Sequence, residues 1–228
     1  MIGPQKSDII NAVLSGIIDA NSFYSEITNG SWISDAGVEN VVQSKIAESL
    51  FSRLKAMGDE RWQIHLEYPI SAFRYEVGIK RRGRVPLSLN GSKRLDLALF
   101  DEADRPRIPI EVKRFNAAAG LKADFQRIAE LLKQSWTAPE QRVDYGICCG
   151  FVVGSGHSPE GSEKQARERL MVVDKSSRSL CKRFGVTSQF YDRVTDVQQY
   201  DIDGHTYWVP AAFCICLEQP LGAGGSTL

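Results

Sequence analysis

Three side chains pose the chemical question. Asp96 lies in the run 94–100, where Leu95, Leu97 and Leu99 alternate with other residues. Glu111 and Lys113 lie in the run 107–114, where Ile108, Ile110 and Val112 alternate in the same way. Period-two alternation marks a strand, and it puts Glu111 and Lys113 on one face, opposite Ile110 and Val112. Asp and Lys are poor mid-strand choices unless something uses them. Residues 101–106 between the runs read as a turn, so the strands form a hairpin that can gather Asp96, Glu111 and Lys113. Two carboxylates beside an ammonium suit a hard cation such as Mg²⁺, which takes one or two protein carboxylates and completes its shell with water and phosphate. A metal held there polarises a phosphodiester and acidifies its bound water. The lysine would orient that water or offset charge developing on the phosphate. The plain alternative is a surface pair, Glu111 with Lys113, on an edge strand, with Asp96 capping a turn.

These strands need a frame. A first helix is expected over 8–21, capped by Ser7, with Ile9, Ile10, Val13, Leu14, Ile17 and Ile18 at helical spacing. Asn29-Gly30 marks a turn, and a second helix should run from the cap Ser34 to about residue 57 on a stripe of Val38, Val41, Val42, Ile46 and Leu50. A strand is expected over 63–70, with Glu67 either supporting the site or simply exposed. Beyond the hairpin, residues 121–136 carry a helical stripe (Leu121, Phe125, Ile128, Leu131, Leu132), and 143–153 is apolar enough for a central strand. Two helices over 160–169 and 176–184 and a hairpin around Asp203-Gly204 complete the reading. With no linker and no repeat, residues 1–228 are expected to form a single domain, its core over about 34–153 and an extension over 154–220.

Asp96, fourteen intervening residues, then Glu111-Val112-Lys113 on two hairpin strands resembles the PD-(D/E)xK nuclease superfamily. Leu95 stands where the literal motif has proline. The resemblance covers roughly 34–153, about half of the chain. It implies an α/β, restriction-endonuclease-like fold: an αβββαβ core whose central mixed sheet is flanked by helices, extended here by the N-terminal helix and by C-terminal helices and a hairpin. It also implies hydrolysis of DNA by an endonuclease dependent on Mg²⁺, with Mn²⁺ as a substitute. Asp96 and Glu111 would be its metal-binding acids, the Val112 carbonyl a further ligand and Lys113 the catalytic lysine. Many such nucleases add a glutamate from the helix before the first core strand, and Glu39 and Glu48 are the candidates. At about 100° per residue, Glu39 lies about 60° from the centre of the apolar stripe and Glu48 about 120° away on the other side. Glu39 is therefore the expected catalytic and metal-facing acid, Gln43 shares its flank, and Glu48 is expected in solvent.

Charge balances at 28 basic and 28 acidic residues, so no global field draws the chain to a polyanion. Locally, residues 74–94 hold seven basic residues and one acid, Glu76. Lys80, Arg81, Arg82, Arg84, Lys93 and Arg94 lead straight into the strand of Asp96, where a phosphate backbone would lie; Arg114 follows the motif, and Lys122, Gln126 and Arg127 could add backbone contacts, although each of these taken singly reads as a solvated surface residue. The same segment could equally be a solvated loop or the meeting surface of a homodimer. The five cysteines lack zinc spacing and most of them read as small buried hydrophobes, and the three histidines form no ligand pair. The N-terminus does not resemble a signal peptide and no run spans a membrane, which points to the cytoplasm. DNA is the preferred substrate. A module of this fold that binds nucleic acid or protein without cutting, and a metal-dependent nuclease acting on RNA, stay open as alternatives.

Overall fold

The computed structural model describes residues 3–28, 33, 39–79, 86–90, 93–114, 118–135, 142–199 and 206–220. Helix α1 (Lys6–Ile27) is longer than its expected 8–21 span, because nothing between Ile17 and Thr28 breaks a helix. Gln5 occupies the cap position without a side-chain bond, so Ser7 lies inside the first turn. Helix α2 (Glu39–Ala56) buries Val42, Gln43, Ile46, Leu50 and Leu54; Asn29-Gly30, the expected cap Ser34 and Val38 lie outside the described residues. The two helices cross closely at Gly16, where a Cβ would come within 2.6 Å of Ile46 Cα.

Strand β1 (Gln63–Pro69) stops one residue short of the expectation. Ile70 instead opens the short helix α3 (Ile70–Glu76), which buries Ile70 and Phe73. Strands β2 (Arg94–Phe100) and β3 (Pro106–Arg114) form the expected antiparallel hairpin, with a register shift between Leu99 and Phe100. Helix α4 (Ala118–Ser135) then leads to β4 (Gly146–Gly156), which pairs parallel with β3.

The two helices expected over 160–169 and 176–184 are one, α5 (Pro159–Phe184). Residues 170–175 contain neither Gly nor Pro, and Leu170 and Val173 continue the buried stripe while Met171 and Val172 point outward. Ser158 caps its start, accepting from the Gly161 N–H at 3.1 Å, and Gly185, at φ 61°, ends it. Strand β5 (Thr187–Val194), which no alternation announces, and the two-residue β6 (Gln198–Gln199) both pair with β7 (Tyr207–Glu218). The turn expected at Asp203-Gly204 lies outside the described residues.

Among the described residues the strands make one mixed seven-stranded sheet in the order β1-β2-β3-β4-β7-β5, with β6 alongside β7. Helices α1 and α2 cover one face, over Leu97, Leu99, Ile110, Val112, Ile147 and Cys149. Helices α4 and α5 cover the other, over Ala98, Phe100, Cys148, Val152, Phe213 and Ile215. Adjacent Cys148 and Cys149 thus serve opposite layers, each free and buried. Leu95 departs from the expected common face: it packs with Ile70 and Phe73, in the layer opposite Leu97 and Leu99. Glu67 on the neighbouring strand has φ 50°, and this left-handed residue interrupts the pleat beside Asp96. Among the described residues no helix is long and apolar enough to cross a membrane.

Candidate active site

The hairpin ladder pairs Leu97 with Ile110 and continues to Phe100 with Pro106. Before Leu97, β2 keeps pairing with β1, through Leu95 with Tyr68 and Arg94 with Pro69. After Ile110, β3 keeps pairing with β4, from Glu111 with Cys148 to Arg114 with Phe151. The two strands therefore separate just beyond their last pair, where Asp96 and Glu111 stand opposite each other. This separation leaves the Val112 N–H without a ladder partner toward β2. Asp96 supplies one: its Oδ2 accepts from Val112 N at 2.6 Å, and its Oδ1 accepts from Gln43 Nε2 at 2.9 Å. A strand residue that pairs through its N–H points its carbonyl to the same side, so the Val112 oxygen faces this gap as well.

Glu111 projects toward α4 and is 1% exposed. Arg127 Nη1 donates to Glu111 Oε1 and lies 3.3 Å from Asp124 Oδ1. Lys113 Nζ sits 3.6 Å from Asp124 Oδ2 and 3.8 Å from Glu39 Oε1. Asp124 and Arg127 reach the sheet together because positions three apart on a helix share a face. The cluster sets the acids Asp96, Glu111 and Asp124 against the cations Lys113 and Arg127, with Glu39 at the rim. Among the described residues, no three His, Cys, Asp or Glu side chains come together closely enough to enclose a metal ion on their own. Arg127 on Glu111 and Gln43 on Asp96 already engage an oxygen of each strand carboxylate.

An excess of acid in a buried place shifts the titrations. Burial, then the neighbouring Asp96 charge, raises Glu111 well above the ordinary glutamate value despite Arg127. Burial also raises Asp96, against the opposing pull of the Val112 N–H and Lys113. Asp124 is raised by burial, and Lys113 and Arg127 only partly offset it. For Lys113, burial favours the neutral amine, but Asp124, Glu39, Asp96 and Glu111 together outweigh it and raise its pKa.

Asp96, Glu111, Val112 and Lys113 are thus brought together, and Glu39 is the helix acid that meets them. Glu48 pairs with Lys45 at 2.8 Å on the exposed side of α2. Gln43, expected on the flank of Glu39, is buried and bonded to Asp96. Glu67 is exposed. Lys93 and Arg94 are exposed where β2 begins, and the Lys93 carbonyl accepts from the Ile70 N–H at 3.1 Å. Lys80, Arg81, Arg82 and Arg84 lie outside the described residues, as does the side chain of Arg114, whose backbone ends β3. Lys122 is exposed and Gln126 half-buried. Arg127 corrects its expectation: it turns inward onto Glu111 because that buried carboxylate needs a cation. Asp124, at 3% exposure, is a member of the site that the sequence reading does not single out, although an acid flanking the stripe of Leu121, Phe125 and Ile128 is its signal.

Comparison with protein-family models, with curated proteins and with solved structures finds no match.

Proposed function

We propose that the chain is a metal-dependent nuclease of the PD-(D/E)xK kind, hydrolysing phosphodiesters of DNA. The observation that carries this is the junction of Asp96 with the Val112 N–H, which joins an acid on β2 to Glu111 and Lys113 on β3 where the strands separate. The order α2-β1-α3-β2-β3-α4-β4, with β4 parallel to β3, supports a restriction-endonuclease-like core into which the short α3 is inserted between the first two strands.

The donor set fits Mg²⁺: Asp96 and Glu111 give two hard carboxylates, the Val112 carbonyl faces the same gap, and water and phosphate complete such a shell. A divalent cation bound by these oxygens supplies Lewis-acid polarisation of the phosphate and an acidified water. Lys113 is placed to orient that water and to offset charge on the phosphate as it develops. Glu39 holds the Lys113 ammonium from the helix side. Gln43 and the Val112 N–H fix the Asp96 carboxylate, so its oxygens do not have to reorganise during the reaction.

A second reading, a module of the same fold that grips nucleic acid without cutting, is favoured by one observation: Arg127 pairs with Glu111, a required metal ligand. The deciding experiment incubates the protein with supercoiled, linear and single-stranded DNA and with RNA, with and without Mg²⁺ or Mn²⁺. Metal-dependent cleavage that is lost in Asp96→Ala and in Lys113→Ala supports the nuclease. Binding without cleavage under every metal condition supports the second reading.

A further inference from the structure

Arg127 engages its acids in an unusual way. An arginine that pins a buried carboxylate frequently uses its planar fork, two nitrogens on two oxygens. Here a single nitrogen, Nη1, serves both Glu111 and Asp124, and the Nε–H is buried without a hydrogen bond. The guanidinium is therefore held by charge more than by geometry. It stands against the one carboxylate on β3 that a metal would need, and Glu111 is only 1% exposed.

We propose that Arg127 is an internal counter-ion that competes with the divalent metal for Glu111, so that metal entry requires the guanidinium to leave Glu111 and fall back on Asp124. This rests on the nuclease reading above and adds a gate to it. Asp124, in contact with both Lys113 and Arg127, can keep the displaced cation inside the cluster. The site would then hold its acids neutralised without metal, and exchange one cation for another when loaded.

The gate predicts a gain where a merely structural role predicts a loss. Mn²⁺ binding is measured by calorimetry on the full chain at pH 8, without nucleic acid, for the parent, Arg127→Met and Arg127→Lys. Removing one positive charge beside a dication should tighten Mn²⁺ binding at least about tenfold in Arg127→Met. Arg127→Lys keeps the charge and should fall between the two. Unchanged or weaker binding in a folded Arg127→Met, while the parent binds, overturns the gate and leaves the nuclease reading standing. Absence of Mn²⁺ binding in every protein overturns both. A measurement on the parent alone covers the case in which Arg127→Met does not fold. The Nε–H resonance of Arg127, identified by its loss in Arg127→Lys, should shift on adding Mg²⁺, and no shift at saturating Mg²⁺ overturns the gate.

Discussion

Asp96 on β2 accepts the Val112 N–H of β3 at 2.6 Å, at the step where the two strands stop pairing. A carboxylate thus replaces a backbone carbonyl as the partner of a strand amide. The substitution fixes the separation of the strands, and with it the gap that Asp96, Glu111 and the Val112 carbonyl share.

Asp96→Asn separates holding the gap from binding the metal. Asparagine offers one acceptor oxygen where the carboxylate offers two, and rotation of the Gln43 amide lets its own oxygen accept from the new NH₂ group. The variant also loses a negative charge facing Glu111 and Asp124. Its thermal stability should lie within about 1 kcal/mol of the parent, while calorimetry should show Mn²⁺ binding abolished.

Gln43→Leu tests the other half of that grip. The Asp96 Oδ1 bond disappears, and a leucine of similar size keeps the buried position that Gln43 occupies on α2. Loss of an outer partner of a metal-binding carboxylate typically costs about 10- to 100-fold in metal affinity or activity. Mn²⁺ affinity and cleavage rate should fall together by that factor, and a Gln43→Leu variant as active as the parent would remove Gln43 from the site.

The helix acid gives a paired test. Glu39 lies 3.8 Å from the Lys113 ammonium, whereas Glu48 pairs with Lys45 in solvent. Glu39→Gln should slow cleavage by about 10- to 100-fold, and Glu48→Gln should leave it unchanged. Rate assays under identical Mg²⁺ decide it, and the reverse ranking would relocate the site on α2.

Much of this arrangement is legible in the sequence because it depends on short-range patterns. Alternation in 107–114 puts Glu111 and Lys113 on one face, the hairpin turn brings Asp96 beside them, and helical angles turn Glu39 rather than Glu48 toward them, whereas the alternation in 94–100 fails at Leu95, next to Asp96. What stays hidden depends on distant partners. Arg127 reads as a surface cation until β3 brings a buried Glu111 beneath it. Asp124 is one acid on a helix flank until Lys113 arrives. Strand β5 fully buries none of its residues, so its edge pairing with β7 leaves little hydrophobic alternation to read. The side switch of Leu95 accompanies a left-handed φ at Glu67 in the neighbouring strand, which propensity does not assign to a glutamate.

Gly150 carries the site from behind. It lies opposite Lys113 in the parallel pair, and a Cβ there would sit 1.8 Å from the Lys113 carbonyl oxygen. Backbone must move to make room, at a cost of about 1–3 kcal/mol or more. Gly150→Ala should lower the melting temperature. At a temperature where the variant remains folded, cleavage should still be reduced, because β3 is displaced at the residue that carries the ammonium. Full activity in the folded variant would mean that the end of β3 yields without consequence.

Glu111→Gln should make the metal-free protein more stable and inactive at once. Burial and Asp96 raise the folded pKa of Glu111 well above its ordinary value, so the folded state holds its proton more tightly than the unfolded chain does. The stabilisation from that proton is fully present below the ordinary glutamate pKa and is lost as the pH rises through the raised one. Asp96 and Asp124, also raised, act in the same direction. The parent's melting temperature without metal should therefore decline from the ordinary carboxylate range toward alkaline pH. Glutamine is neutral at every pH, and its side-chain oxygen still accepts from Arg127. The variant's curve should be flatter and lie above the parent's on the alkaline side, and Mg²⁺ should raise the parent's curve while leaving the variant's unmoved. Thermal melts across pH, with EDTA and with Mg²⁺, test both halves. A variant less stable than the parent at alkaline pH would mean that the Arg127 ion pair outweighs the repulsion among the acids, contrary to the balance drawn from their burial.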